Sequence, residues 1–467
     1  MKRALVVALL LGVGGAVAAA EEESPTDPRL AEVQQTFDEG VRLAEAGQYA
    51  KAVTSLERSL ALSEAAFGGG HPQVARCLDM LGAVHRHQGH SAQAVLLYER
   101  ALALKEAALG PRHPIVATAL DNLAGLHASQ GHYAQAVLLY ERVLAIEEAV
   151  LGPEHPDVAI TVDNLAQLQK LQGNYARAEA LHERSLALVE ARLGPEHPDV
   201  ATVLNNLADV HGRQGQYARA EALHERALAI RQAVLDPKHP DVAGSLHNLA
   251  TLYIDQGQYA RAEPLAVRAL AIEEEAMGPE HLTVALSVHT LANIQAYQGR
   301  YARAEPLYAR ALRLKEKTLG KAHPSVAVTL NSLAGLYLAQ GHYARAEPLH
   351  VRALAIQEAA LGKGHPDVAD SLHQLVHLFF LQGEYARAEP LAERALAIRE
   401  AALRPEHPEV AASRHTLGSL YSAQGQYARA EPLYERALAS LEASLGPEHP
   451  TVGSSLGTLA HLHTQQL

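Results

Sequence analysis

His373 and His377 stand four residues apart in a stretch that reads as helix, so both imidazoles fall on one helical face. With a third histidine from a neighbouring helix, such a pair could hold zinc or copper. The supply is ample, with 27 histidines in 467 residues. His247, His289, His373 and His415 also share one place in a repeating pattern, each eight residues after a landmark histidine. The residues between His373 and His377 are Gln374, Leu375 and Val376, without the glutamate that a zinc protease carries there. A solvated face that has drifted accounts for the same residues and is the favoured reading. A metal-binding envelope protein that uses these C-terminal histidines is the alternative.

The landmarks themselves are His71, His113, His155, His197, His239, His281, His323, His365, His407 and His449, each 42 residues from the next. All but His281, which precedes Leu282, are followed by proline. A residue present once per unit serves the loop of that unit, so catalysis is not expected of it. His85, His127 and His211 take the place of Tyr253, Tyr337 and Tyr421 in other units and read as packing residues with a polar tip. There is no Gly-x-Ser-x-Gly elbow, phosphate-cradling glycine loop or cysteine pair. Cys77, alone in the chain, aligns with Ala119, Ser245 and Ser287 and reads as packed. No enzyme, cofactor or resident metal is expected.

A fixed period of this length is one supersecondary unit copied and stacked, which predicts an all-α solenoid in place of separate globules. In the unit that opens at His197, the pattern predicts helix A from Pro198 to Gln214, a turn at Gly215 and helix B from Tyr217 to Leu235. These helices are about 26 and 28 Å long. Proline suits the first helical position, and Asp199 just inside complements the positive helix end. Val200, Ala201, Leu204, Leu207, Ala208 and His211 form a buried stripe on helix A. Ala220, Leu223, Ala227, Ile230 and Val234 do so on helix B. Glycines such as Gly194 after helix B predict a left-handed cap.

The units add up to about ten helical hairpins over residues 29–448, followed by a C-terminal capping helix over 449–467. The first unit departs from the pattern, with Glu39 and Arg42 at leucine positions. Five B helices carry an interior proline, Pro264, Pro306, Pro348, Pro390 and Pro432, which could bend them. Copying of one variant unit is the preferred account of those prolines.

Leu-Ala-x-Leu-x-x-x-Gln-Gly-x-Tyr-Ala, as in Leu333 to Ala344, with Ala-Glu-Pro-Leu and Arg-Ala-Leu-Ala-Ile beyond it, resembles the tetratricopeptide repeat. The 42-residue form with Leu-Gly-Pro-Glu-His-Pro between units, as in Leu193 to Pro198, looks like the repeats of kinesin light chains and their bacterial relatives. The resemblance covers essentially the whole chain beyond residue 28. It implies a right-handed superhelix whose A helices line a concave groove that holds extended or helical peptides.

Nine residues after each landmark stand Asn122, Asn164, Asn206, Asn248, Thr290, Ser332, Gln374, Thr416 and Thr458, with Met80 the one apolar member. The resemblance implies that this place faces the groove and that asparagine there holds a ligand's backbone. An amide donates and accepts at once, so amides on helices about 8 to 10 Å apart could grip a peptide whatever its side chains. One residue earlier stand Asp79, Asp121, Asp163, Asn205, His247, His289, Asn331, His373 and His415. If these also face the groove, its charge passes from acidic to neutral or titratable, favouring a ligand whose basic end lies toward the N-terminal half. The groove residues expected to bind are therefore Asn122, Asn164, Asn206, Asn248, Asp121, Asp163, Asn205, Asn331, Ser332 and Gln374.

Met1-Lys2-Arg3, an apolar run from Ala4 to Val17, and Ala18 to Ala20 before three glutamates have the form of a signal peptide over residues 1–20, followed by a short acidic linker over 21–28. The apolar run is shorter than the roughly 20 residues that span a bilayer, so no membrane span is expected after its removal. Export to the periplasm or beyond suits a chain with one cysteine. Without Lys2 and Arg3, 38 basic residues face 52 acidic ones, a balance that repels phosphate backbones and excludes nucleic acid as a partner. The expected function is a non-enzymatic scaffold for a protein or peptide partner, with a structural spacer as a further alternative.

Overall fold

The computed structural model describes residues 28–466, and every regular element among them is an α-helix. The expected signal peptide over 1–20, and the linker save its last residue, lie outside the described residues. The chain divides into two compact units, 1–155 and 156–467.

The first unit holds α1 (Pro28–Glu45), α2 (Tyr49–Phe67), α3 (Pro72–His87), α4 (Ser91–Leu109), α5 (Pro114–Ser129) and α6 (Tyr133–Leu151). The second unit opens with α7 (Pro156–Leu171), α8 (Tyr175–Leu193), α9 (Pro198–Arg213), α10 (Tyr217–Val234), α11 (Pro240–Asp255), α12 (Tyr259–Met277), α13 (Leu282–Tyr297) and α14 (Tyr301–Leu319). It continues through α15 (Pro324–Ala339), α16 (Tyr343–Leu361), α17 (Pro366–Leu381), α18 (Tyr385–Ala402), α19 (Pro408–Ala423), α20 (Tyr427–Leu445) and α21 (Pro450–Gln466). Odd-numbered helices are the A helices and even-numbered ones the B helices. They pair as ten antiparallel hairpins, and α21 packs on α20 as a lone A helix.

The landmark histidine caps the A helix. In His71, His113, His197, His239, His281, His323, His365, His407 and His449 the Nδ1 atom accepts from the backbone N–H two residues on, at 3.0–3.3 Å. An orphan amide of the first turn is thereby satisfied, as a serine or aspartate would do it. The imidazole must be neutral, with its proton on Nε2.

The other end of the hairpin corrects an expectation. Gly194 has φ 85° and ψ 156°, where a left-handed cap needs ψ near 47°. Its N–H closes onto the Glu190 carbonyl at 2.9 Å while the chain extends toward His197, in a region of backbone space that only glycine enters freely. The helices end one residue earlier than the periodicity suggests, at Arg213 and Val234 in that repeat. The B helices that carry Pro264, Pro306, Pro348, Pro390 and Pro432 each remain one helix.

Each hairpin of the second unit buries its own small core. Val242, Ala243 and Leu246 meet Ala269 and Ile272, and the set recurs 42 residues later as Val284, Ala285, Val288, Ala311 and Leu314. Deeper along the hairpins a continuous cluster runs from Ala292 to Leu462. In the first unit Cys77 is fully buried, its Sγ against the hydroxyls of Ser59 and Ser63, and burial raises its pKa; it packs. Neighbouring repeats are stapled by a three-residue device: Tyr253 donates to Glu221 at 2.8 Å, and Arg261 lies 4.0 Å over the tyrosine ring while donating to the same carboxylate at 2.6 Å. His211 takes the tyrosine's place, buried, with Nδ1 3.0 Å from Gln216 Oε1.

The second unit also touches itself between distant repeats. His407 packs on the α7–α8 turn, where a methyl group on Gly173 would lie 2.6 Å from Cδ2 of the imidazole. Its ring lies beside the Leu171 carbonyl. His449 meets Gly215 in the same way, and Leu445 packs against Tyr175, Ala178 and Val210. The repeats involved lie between five and six apart, so one superhelical turn of this unit rests on the next.

Candidate functional site: the inner face of the A helices

Within the second unit, consecutive A helices touch one another, as α9 does α11 and α15 does α17, while consecutive B helices stand farther apart. The A side is therefore the inner side of the curve. The residue nine after the landmark is half-buried there: Asn164, Asn206, Asn248, Ser332 and Gln374 in the second unit, and Asn122 in the first. Among the described residues the amides of Asn122, Asn164, Asn248 and Gln374 form no side-chain hydrogen bond within the protein. Asn206 donates to Asp163 at 3.0 Å, which leaves its carbonyl oxygen open. Ser332 returns its hydroxyl to the Val328 carbonyl and lies 3.4 Å from His289 Nε2.

The residue one place earlier behaves differently, against the sequence expectation that it also presents charge to the groove. Where it is aspartate or asparagine, it bonds the B helix of its own hairpin. Asp163 Oδ1 accepts from Nδ1 of His182 at 2.8 Å, Asn205 Oδ1 from His224 at 2.8 Å, and Asn331 Oδ1 from His350 at 2.9 Å. The remaining amides donate to the next repeat, Asn205 to Ser245 and Asn331 to Ser371. In the first unit Asp79 is bridged by Lys105 at 2.6 Å, and Asp121 lies beside Tyr140. Burial raises the pKa of both carboxyls, and their partners work against it. The acidic stretch is thus compensated inside its own hairpins, and the gradient that would orient a basic ligand end is not presented.

Two cavities open on the inner face of the second unit. The smaller, of about 270 Å³, is lined by Asn205, Asn206, His247, Asn248, Arg231 and Glu273, among others. The larger, of about 640 Å³, has Asn331, Ser332, His373, Gln374, Asp370 and Arg399 in its wall. Asn164 lines neither cavity, and neither does Asp163.

The floor charges escaped the reading of the sequence. Lys105, Glu147, Arg231, Glu273, Lys315 and Arg399 share one B-helix place, filled by Val189 and Gln357 in two other repeats, and a charged side chain recurring on an otherwise apolar stripe was the signal. Lys315 is 2% exposed and donates to Thr329 at 2.9 Å; burial lowers its pKa to about 8. Arg399 bridges Asp370 at 2.5 Å.

The histidines do not assemble a centre. Among the described residues no three side chains of histidine, cysteine, aspartate or glutamate converge on a point where a metal ion could sit. His373 is half-buried with Nδ1 3.5 Å from the Thr416 hydroxyl, and burial first, then Arg399 and His377, lower its pKa to about 4. His377 is exposed. Among the described residues no helix is long and apolar enough to cross a membrane.

A family profile described as tetratricopeptide repeat matches residues 41–107 and 139–191 and then, in overlapping windows, 164–466; a second profile of the same description matches 116–157. Among solved structures, a kinesin-light-chain-like protein of nearly identical TPR-like repeats from Podosopora anserina is 30% identical over 44% of this chain and 97% of its own, with a TM-score of 0.38. BtubC (BKLC) from P. vanneervenii is 25% identical over 59% of this chain and 94% of its own, with a TM-score of 0.36. A Rap protein complexed with Competence and Sporulation Factor shares the fold at 15% identity, covering 80% of this chain and 98% of its own with a TM-score of 0.50. No curated protein matches.

Proposed function

We propose that this chain, which belongs to the tetratricopeptide repeat family, is a non-enzymatic scaffold that holds an extended segment of a protein partner against the inner face of its A helices. One observation carries the proposal: the polar ladder lines the wall of two cavities on that face, while the amides of Asn164, Asn248 and Gln374 have no partner within the protein among the described residues. An unpaired amide on a groove wall is ready to exchange water for a peptide's backbone.

The test is to pan a random-peptide display library on the chain and on a variant with alanine at Asn164, Asn206 and Asn248, all in the second unit. The wild type should enrich peptides that the variant binds far more weakly, because a lost hydrogen bond costs about 0.5–1.5 kcal/mol and several go together. Equal binding by the variant would move the site to another surface. We also place the protein outside the cytoplasm, on the order of charged, apolar and small residues over 1–20. N-terminal sequencing of the bulk protein should begin at or near Glu21, and an intact Met1 would overturn this.

A further inference from the structure

The smaller cavity has two charged residues on its floor, each with an atom of unused bonding capacity. Glu273 is 8% exposed, lies beside Ser287, and leaves Oε2 shielded from water with no donor. At the place where Arg399 meets Asp370 it has Gly244, which offers no side chain of its own; the nearest group there is the Arg231 guanidinium, 3.8 Å from where a methyl on Gly244 would stand. Arg231 donates to the Asp241 carbonyl at 3.0 Å and to the hydroxyls of Ser245 and Thr202 at 2.9 and 3.0 Å, and its Nε finds no acceptor. Among the described residues no carboxylate lies within ion-pair distance of it. The repeats supply an internal control for the missing carboxylate alone, since Nε of Arg399 likewise has no acceptor: Arg399, at the same place, bridges Asp370, and Arg231 has Thr202 where that aspartate would stand. Burial pushes the guanidinium's pKa down and the Glu273 carboxyl's up, as unpaired buried charges should behave.

Buried charges are normally paired, and a buried polar atom without a partner calls for one from outside. Here a cation and an anion, one repeat apart, share a cavity that Gly244 keeps open. Repeats lie about 8 to 10 Å apart and an extended chain rises about 3.3 Å per residue, so the two charges match ligand positions about three residues apart. Asn206 and Asn248 on the wall are placed to hold the backbone between them.

We propose that this cavity is the specificity pocket of the groove and takes an extended peptide with an acidic side chain on Arg231 and a basic one, about three residues away, on Glu273. The inference rests on the groove reading and adds the charge pattern of the partner.

The same display library, panned on the full chain, should enrich peptides with an acidic and a basic residue at that spacing. Arg231→Gln and Glu273→Gln, which keep side-chain size, should each weaken a selected peptide by about thirty-fold or more and lose the requirement for one of the two charges. The exchange Arg231→Glu with Glu273→Arg should select the reverse order, a switch that a purely structural role cannot produce. Circular dichroism confirms that each variant is folded, and the two glutamine variants decide the matter if the exchange is not. Enriched peptides that need Asn206 and Asn248 but carry no such charges would overturn the pocket and leave the groove standing. No enrichment, or enrichment indifferent to the asparagines, would overturn both.

Discussion

His224 donates its Nδ1–H to the side-chain carbonyl of Asn205 at 2.8 Å, across the two helices of one hairpin. Both residues are buried, at 4% and 6% exposure, and the bond recurs as His182 with Asp163 and His350 with Asn331. These pairs tie helix A to helix B beneath the groove wall, and they separate residues that hold the fold from neighbours that are open to a ligand.

Removing one member of such a pair should cost stability. Asn205→Ala leaves the ring of His224 buried without its acceptor, and about 1–3 kcal/mol should be lost in denaturant unfolding. The double variant with His224→Ala should lose less than the sum of the two single changes. Additive losses would mean that the bond contributes nothing of its own.

The ladder and the stripe beside it should respond in opposite ways. Alanine at Asn164 and Asn248 should leave the melting temperature nearly unchanged, because among the described residues these half-buried amides have no side-chain hydrogen bond to lose. Alanine at the adjoining Leu165, Leu207 or Leu249, each at most 4% exposed, should cost about 2–5 kcal/mol. Calorimetry on the two sets of variants separates them.

Acid should weaken the second unit early. His224, His350, His373 and His407 have folded-state pKa values lowered to about 4, in each case chiefly by burial, against about 6.5 in an unfolded chain. Between those values the unfolded chain binds more protons, so stability is full above about pH 6.5 and falls as the pH drops toward 4. Thermal melts at steps from pH 7.5 to 4.5 should show a steady decline. His407→Gln, which keeps a capping acceptor but no longer titrates, should make the decline shallower.

Gly173 should tolerate no side chain. Its φ is 74°, and the added methyl would strike His407, so Gly173→Ala should lower the melting temperature. Pairing it with His407→Ala should recover the part due to the clash and leave the part due to the backbone. No recovery would show that the contact between repeats is unimportant in solution.

The period, the hairpins and the helix bounds to within a residue were legible in the sequence because they follow from spacing alone. What escaped is what depends on two elements at once. Asn205 and Asn206 are adjacent, and only the presence of His224 on helix B decides which of them turns inward. The capping chemistry of the landmark histidine was hidden because imidazole rarely serves where serine and aspartate abound. The meeting of His407 with Gly173 depends on the pitch of the superhelix, which no single repeat encodes.

That last contact changes how a partner gets in. Where one turn of the second unit rests on the next, at Gly173 with His407 and Gly215 with His449, the flank of the groove is closed. A segment that binds there has to be threaded by a free end, or the seam between Gly173 and His407 has to part first. Loading then becomes a question of topology as well as affinity: a chain terminus can enter, whereas an internal loop anchored at both sides is turned away.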